Sequence, residues 1–312
     1  MYAIGIDIGG TSIKVGLVDG GKIIDSSRKP TASTPEETVK NIVLQIDELF
    51  KKNSLTVKDI VGIGIGCPGL ISSEEGVVNH ISSMKWHNFP IVNILKQHYD
   101  TEIKLSNDAN VAAFGEAMFG AGEQYKDSIM LTLGTGVGGG VVINNKLYEG
   151  GFSKGAELGH MVIKVGGEQC GCGRRGCLEA YASATGLIRM TKRAMEVNPD
   201  SMMWSFVDGD INKVDGRTSF ECAKKGDKAA NQVVDDYVMY LAEGIMNLAN
   251  IFRPEAFIIG GGVSAQGKYL TDKLTAYCEK FNYGYNSAPK SDIITATLGN
   301  DAGIIGAAAL VL

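Results

Sequence analysis

Residues 2–19 read YAIGIDIGGTSIKVGLVD, two runs that are apolar at most positions, joined by Gly9-Gly10-Thr11. Runs of this length bounded by glycine read as strands, and the pair reads as a hairpin. A third run, KIIDSS at 22–27, follows a DGG turn and completes a meander. Asp7 ends the first strand, Gly9 and Gly10 carry no Cβ, and Thr11 adds a hydroxyl. Such a turn can aim backbone N–H groups at a phosphate while the carboxylate faces a metal ion. A plain hairpin with a favourable Gly-Gly turn is the other reading of the same residues.

Working outward, Thr34, Pro35 and Glu37 form a capping box with proline at the first helical position. Val39, Ile42, Val43, Ile46, Leu49 and Phe50 then recur on one helical face. IVGIGIG at 60–66 is a buried strand ended by Cys67-Pro68-Gly69, and EIKLS at 102–106 is another, passing into a helix at Asn107-Asp108. The pattern restarts near residue 127 with SIMLTLG, a glycine turn, GGVVIN, an Asn-Asn turn and KLYEG. AFIIGGG at 256–262 and DIITATLG at 292–299 follow as strands, with a long helix from Lys228 to Phe252 before Pro254 and a small-residue helix from Ala302. Strand, glycine turn, strand, then βαβ occurs twice, which implies architectural duplication. The expected domains are 1–119 and 120–299, with the last helix, 300–312, packing back on the first.

Composition narrows the function. At 312 residues the chain suits two domains. Glycine is the outlier, 41 residues or about 13% against a usual ~7%, and is expected in working turns. A formal charge of −5 without any Lys/Arg stripe argues against nucleic acid or a membrane surface and for a small-molecule partner. The start has no basic n-region and meets Asp7 at once, and the longest apolar run, AGIIGAAALVL, is too short to span a bilayer, so a soluble cytoplasmic protein is expected.

A second glycine turn, Gly134-Thr135-Gly136-Val137-Gly138-Gly139-Gly140, again places unobstructed amides and a threonine between two strands. Two such turns suggest a nucleotide held between the halves. Gly260-Gly261-Gly262 would admit a flat ring, or would simply turn the chain into a helix. Neither a P-loop nor a dinucleotide fingerprint occurs. Within Ser106-Asn107-Asp108-Ala109-Asn110, the Asn and Asp suit a helix N-cap. A carboxylate there can also take a proton from a hydroxyl attacking a γ-phosphate, which makes Asp108 the candidate base.

The strongest local signal is Glu157-Leu158-Gly159-His160 followed by CGCGRRGCLE at 170–179. One histidine and three cysteines, His160, Cys170, Cys172 and Cys177, at spacing H-x9-C-x-C-x4-C make a tetrahedral zinc site. Four protein ligands leave no open position for a water nucleophile, so the zinc is expected to be structural. His160 has a second ring nitrogen to offer a sugar hydroxyl, with Glu157 and Glu179 nearby as acceptors. The other cysteines, Cys67, Cys222 and Cys278, read as core or surface thiols. His80, His87 and His98 have no evident partner, and Trp86 reads as packing for the loop 80–90.

Together these residues resemble the ROK family of repressors, open reading frames and sugar kinases, and within it the bacterial glucokinase members. DIGGTSIK at 7–14, CPG at 67–69, SNDAN at 106–110, LGTGVGGG at 133–140, ELGH at 157–160, CGCGRRGCLEAYAS at 170–183 and IIGGG at 258–262 occur in family order. The resemblance implies an α/β, actin-like (ribonuclease H-like) ATPase fold of two domains around an interdomain cleft, and ATP-dependent phosphorylation of a hexose 6-hydroxyl. It implies that Asp108 is the base, that Asn107, Glu157, His160 and Glu179 contact the sugar, and that Gly69 lines its pocket. Gly9, Gly10, Thr11, Lys14, Gly134, Thr135 and Gly261 correspond to nucleotide contacts, with Gly136 and Gly262 completing their turns and Asp7 facing Mg2+ through water. A homo-oligomer, dimer or tetramer, is also expected. N-acetylmannosamine, allose or fructose are the alternative substrates, although 80–90 and 198–204 resemble the glucokinases. A sugar-responsive repressor is the non-enzymatic alternative; the first phosphate turn at residue 7 leaves no room for a preceding helix-turn-helix domain.

Overall fold

The computed structural model describes residues 1–81, 84–284 and 289–312. The strands are β1 Tyr2–Ile8, β2 Ser12–Asp19, β3 Lys22–Pro30, β4 Ile60–Cys67, β5 Leu70–Ser72, β6 Val77–Ile81, β7 Trp86–Phe89, β8 Glu102–Asn107, β9 Ser128–Leu133, β10 Val137–Ile143, β11 Lys146–Tyr148, β12 Ala256–Gly260 and β13 Asp292–Thr295. The helices are α1 Pro35–Asn53, α2 Ile91–Lys96, α3 Asp108–Phe119, α4 Glu179–Ala182, α5 Ala184–Val197, α6 Met202–Phe206, α7 Thr218–Lys224, α8 Lys228–Phe252, α9 Lys268–Phe281 and α10 Ala302–Ala309. None is long and apolar enough to cross a membrane, among the described residues.

The chain forms two compact units. The first comprises Met1–Ile129, Gly140–Ala156 and Thr297–Leu312, and the second Met130–Gly139 and Glu157–Ala296. In the first, five strands run in the order β3-β2-β1-β4-β8. β3, β2 and β1 are the antiparallel meander, and β1, β4 and β8 run parallel. A second five-stranded sheet has the order β11-β10-β9-β12-β13, which repeats that connectivity strand for strand.

Side-chain alternation along β4 explains the layers. Ile63 and Ile65 are fully buried in a core with Val39, Ile42 and Ile46 of α1. Each such side chain contributes about 1.5–3 kcal/mol relative to exposure. On the opposite face Gly64 meets α10: a Cβ there would lie 1.7 Å from the Ala307 carbonyl oxygen, and one at Gly5 of β1 would lie 2.0 Å from that of Ile304. Most of the glycine lies in turns and loops as expected, but some sits inside strands, a use that composition does not signal. The physical reason is close helix-on-sheet approach. α10 meets α3 equally closely, since a Cβ at Gly306 would fall 1.6 Å from the Val111 carbonyl oxygen. Ahead of α10, the fully buried Glu116 of α3 accepts from the Thr297 amide at 2.9 Å and the Leu298 amide at 2.7 Å.

Other expectations need smaller corrections. Only half of the capping box forms: the Thr34 hydroxyl accepts from the Glu37 amide, but the Glu37 carboxylate accepts from Ser33 instead. The segment 292–299 is a strand only to Thr295. The stretch 80–90 is not a plain loop, because β6 pairs with both β5 and β7 in a three-stranded sheet; residues 82 and 83 lie outside the described residues. Trp86 packs there against Phe89 and is buried, and the His80 and His87 rings face each other across the β6–β7 pair, Nδ1 to Nδ1 at 3.2 Å. Cys67, Cys222 and Cys278 are all buried.

In the second unit the 25-residue α8 spans the predicted range. Asp227 caps it, accepting from the Ala230 amide at 2.7 Å, the Met202 amide at 2.6 Å and the Ser201 hydroxyl at 3.0 Å. Arg253, in the left-handed region at φ 46°, ends it before Pro254.

Candidate functional site

In the first unit, three adjacent parallel strands end side by side. Asp7 of β1 is in register with Gly66 of β4, and Cys67 of β4 with Asn107 of β8. In sheets of this kind ligands bind beyond the carboxyl ends of the strands. Asp7, Gly69, Asn107 and Asp108 are thus gathered at one edge. Burial pushes the Cys67 thiol far above its ordinary value, and the charges of Asp108 and Asp7 raise it further, so both carboxylates bear on one point.

Each side chain there is held locally. The Asn107 side chain caps α3 by accepting from the Ala109 and Asn110 amides, while its own amide donates to the Gly69 carbonyl at 3.3 Å. The N-cap is therefore Asn107, which leaves Asp108 at the first helical position. Its carboxylate accepts from the Ala109 amide at 2.9 Å. Gly69 lies at φ 91°, and a Cβ there would approach the His80 carbonyl oxygen to 2.3 Å, so no other residue fits. Behind the strand ends, Glu149 accepts from Ser106 at 2.6 Å and from Ser73 at 2.8 Å. Nothing in the local sequence marked Glu149, because its partners are remote in the chain.

The first glycine turn closes with the Gly9 amide donating to the Ser12 carbonyl at 2.9 Å, and Thr31 donates to the Gly9 carbonyl at 2.6 Å. Gly10 and Thr11 are exposed at its tip. Lys14, directly across the β1–β2 pair from Asp7, donates to the Asp7 carboxylate at 3.0 Å and to the Asn300 carbonyl at 3.1 Å. A single half-buried carboxylate is a donor set that suits a magnesium ion retaining most of its water.

In the second unit, the Gly134 amide donates to the Gly136 carbonyl at 3.0 Å, forming the tight second turn with Thr135 exposed at its apex. The Ala184 amide donates to the Gly134 carbonyl and the Thr185 hydroxyl to the Thr135 carbonyl, each at 2.8 Å. Thr185 was not singled out by the sequence. Gly261, at φ 80°, would place a Cβ 2.6 Å from the Leu133 backbone, so it lies beside the second turn, with Gly262 open to solvent.

Glu179 joins this turn to the cysteine cluster. One carboxylate oxygen accepts from the Val137 amide at 3.1 Å, and the other lies 3.3 Å from the Cys170 sulfur. Glu157 and His160 flank a short helical turn, Leu158–His160, whose Gly159 presses on β10: a Cβ there would lie 2.0 Å from the Val137 carbonyl oxygen. His160, Cys170, Cys172 and Cys177 offer ligand atoms all within 4.8 Å of one another. The Cys172 and Cys177 sulfurs are 3.7 Å apart, and the Cys170 sulfur is 3.6 Å from His160 Nδ1. A zinc tetrahedron with ordinary bond lengths has S···S edges of about 3.8 Å and S···N edges of about 3.6 Å. The four residues fit the ion. Without it, burial pushes the Cys170 thiol up to about 12, so binding a metal must displace protons.

The sheet connectivity, repeated in both five-stranded sheets, defines the actin-like, ribonuclease H-like ATPase fold. Comparison with known proteins agrees. The ROK family model matches residues 3–312, and the chain belongs to the ROK family. It is similar to the glucokinase of Thermotoga maritima, 37% identical over 315 residues that cover 99% of this chain and 96% of that one. A crystal structure of a ROK family glucokinase from Streptomyces griseus in complex with glucose and AMPPNP superposes with a TM-score of 0.80 at 34% identity, covering 99% of both chains. The xylose repressor of Caldicellulosiruptor bescii is 33% identical over 276 residues, 87% of this chain and 68% of the repressor.

Proposed function

We propose that this protein is an ATP-dependent hexose kinase that phosphorylates the 6-hydroxyl of glucose. The observation that carries the reading is the convergence of Asp7, Gly69, Asn107 and Asp108 at the ends of three adjacent parallel strands. The similarity to glucokinases, one of them crystallised with glucose and AMPPNP, supports it.

In this mechanism Asp108 takes the proton from O6 as that oxygen attacks the γ-phosphorus. The new O–P bond forms as the bond to the bridging oxygen breaks, and ADP leaves with that electron pair. Amides of the Gly9–Thr11 and Gly134–Gly136 turns, together with Lys14, stabilise charge on the phosphoryl oxygens, and Gly261 and Gly262 leave room for the adenine ring. Asn107, Glu157, His160 and Glu179 orient the sugar hydroxyls, and Gly69 gives them space. Asp7 would hold a magnesium ion, which would neutralise phosphate charge, and His160, Cys170, Cys172 and Cys177 would hold a zinc that would keep their loop ordered. A cytoplasmic homo-oligomer belongs to the same reading.

The test is ADP release from magnesium-ATP across glucose, mannose, N-acetylmannosamine, allose and fructose. Glucose giving the highest kcat/KM is the expected outcome. Dominance of N-acetylmannosamine, allose or fructose keeps the mechanism and replaces the substrate. If no sugar accelerates ADP release from zinc-replete protein, the sugar-responsive repressor takes its place, a reading that the similarity to a xylose repressor favours.

A further inference from the structure

A cleft of about 930 Å³ lies wholly within the second unit, between the zinc loop, α5 and the start of α8, and none of the residues assigned above lines it. Its lining carries five cationic side chains, Lys164, Arg175, Arg189, Arg193 and Lys228, against two carboxylates, Glu168 and Asp236. That excess is unusual in a chain of formal charge −5. The carboxylates do not cancel it. Glu168 is engaged by Arg193 at 2.5 Å and faces Arg189 Nε at 3.6 Å, while Asp236 accepts from the neutral Gln232.

Three of the cations form no ion pair with a carboxylate among the described residues, although the charge of Glu168 is felt at Lys164 and Arg175. Lys164 donates to the Tyr240 hydroxyl at 3.2 Å, Arg175 to the neutral Gln169 at 3.4 Å, and Lys228 has no hydrogen-bonded side-chain partner among the described residues. The buried Nε of Arg189 also has no acceptor within hydrogen-bond distance. Beside these charges the half-buried Tyr240 stacks on the buried Tyr181 with ring centroids 4.2 Å apart, and Lys164 Nζ lies 5.5 Å from the Tyr240 centroid, so Tyr240 is the apolar surface next to the cations. Concentrated positive charge in an open, partly apolar cleft is the recognition chemistry of a phosphorylated small molecule.

We propose that this cleft binds a phosphorylated small molecule, with Lys164, Arg175 and Lys228 holding the phosphoryl oxygens and Tyr240 packing against the remainder. Such an occupant would rest on the loop between Cys172 and Cys177 and on Tyr181, whose hydroxyl accepts from the Glu168 amide at 2.7 Å. It would therefore rigidify the loop that carries these cysteines.

The experiment is calorimetric titration of tripolyphosphate, glucose 6-phosphate and ADP into the zinc-containing chain saturated with AMPPNP, beside the double variant Lys164→Gln/Lys228→Gln. Both lysines are exposed, so the variant should fold, and a matching thermal melt checks that. The expected result is one site per chain for at least one of the three, an affinity about tenfold or more lower in the variant, and weakening with rising salt. Which compound binds identifies a phosphate chain, a sugar phosphate or a nucleotide as the source. Equal affinity in variant and parent, or no heat from any compound, overturns the proposal. So does a change in sedimentation of the variant without anion binding by the parent, which would make the cleft a surface between copies. None of these readouts depends on kinase turnover, so failure here is distinct from failure of the proposed activity.

Discussion

The Glu179 carboxylate lies 3.3 Å from the sulfur of Cys170, and its other oxygen holds the Val137 amide at 3.1 Å. One side chain thus links the Cys/His cluster to the second glycine turn. Glu179→Gln keeps the shape but replaces a charged acceptor with a neutral one, and hydrogen bonds to charged groups are worth about 1.5–3 kcal/mol. The expected outcome is a rise in KM for glucose of about 10- to 100-fold, read from initial rates, with the ATP KM moving less. An unchanged sugar KM would remove Glu179 from the sugar site.

Asp108→Asn removes the proton acceptor and keeps the amide-accepting oxygen that bonds Ala109. Turnover should fall by about 10² to 10⁴-fold, the usual range for a general base, while glucose binding measured by calorimetry persists. Wild-type turnover would exclude Asp108 as the base.

Cys172→Ser breaks the tetrahedron at its exposed corner. Elemental analysis should show one zinc per parent chain and a substoichiometric amount in the variant, with glucose affinity lost as the His160 turn loosens. Full zinc content with unaltered affinity would refute the positioning role. Chelator treatment of the parent should reproduce the variant.

Asp227 gives a pH-dependent test. Burial acts to raise its carboxyl, but hydrogen bonds from the Ala230 and Met202 amides and the Ser201 hydroxyl outweigh that and hold it below the ordinary 3.8. A depressed folded value means stabilisation that is full above about pH 4 and lost as pH falls through the folded value. Asp227→Ala should cost about 1–2 kcal/mol at neutral pH, as expected for a helix cap. The gap between denaturant melts of variant and parent should begin to close as pH falls below 3.8 and vanish once it passes below the depressed folded value. A pH-independent gap would contradict the assignment.

The sequence disclosed the meander, the parallel strands and the limits of α8 because each rests on local periodicity and on glycine or proline at its ends. It disclosed the cysteine cluster because four ligands fall within 18 residues, His160 to Cys177. It did not disclose β6, β7 or the pairing of His80 with His87, since VVNHI and WHNF are short and their apolar residues do not alternate regularly. The links from Glu116 to Thr297 and from Glu149 to Ser106 were hidden for another reason: they join residues far apart in the chain, and no local pattern reports them. The same holds for glycines inside β1 and β4, whose purpose is visible only once α10 is laid across them.

That packing bears on how the chain is made. The first unit is built largely from Met1–Ile129 but needs residues 297–312 to cover the glycine face of β1 and β4. A nascent chain must therefore carry an uncovered sheet through the synthesis of almost the whole second unit, during which chaperones and stray strands have access to it. Maturation of the first unit therefore waits on the synthesis of the second, and the buried Glu116 is the anchor that receives the late-arriving segment at Thr297 and Leu298.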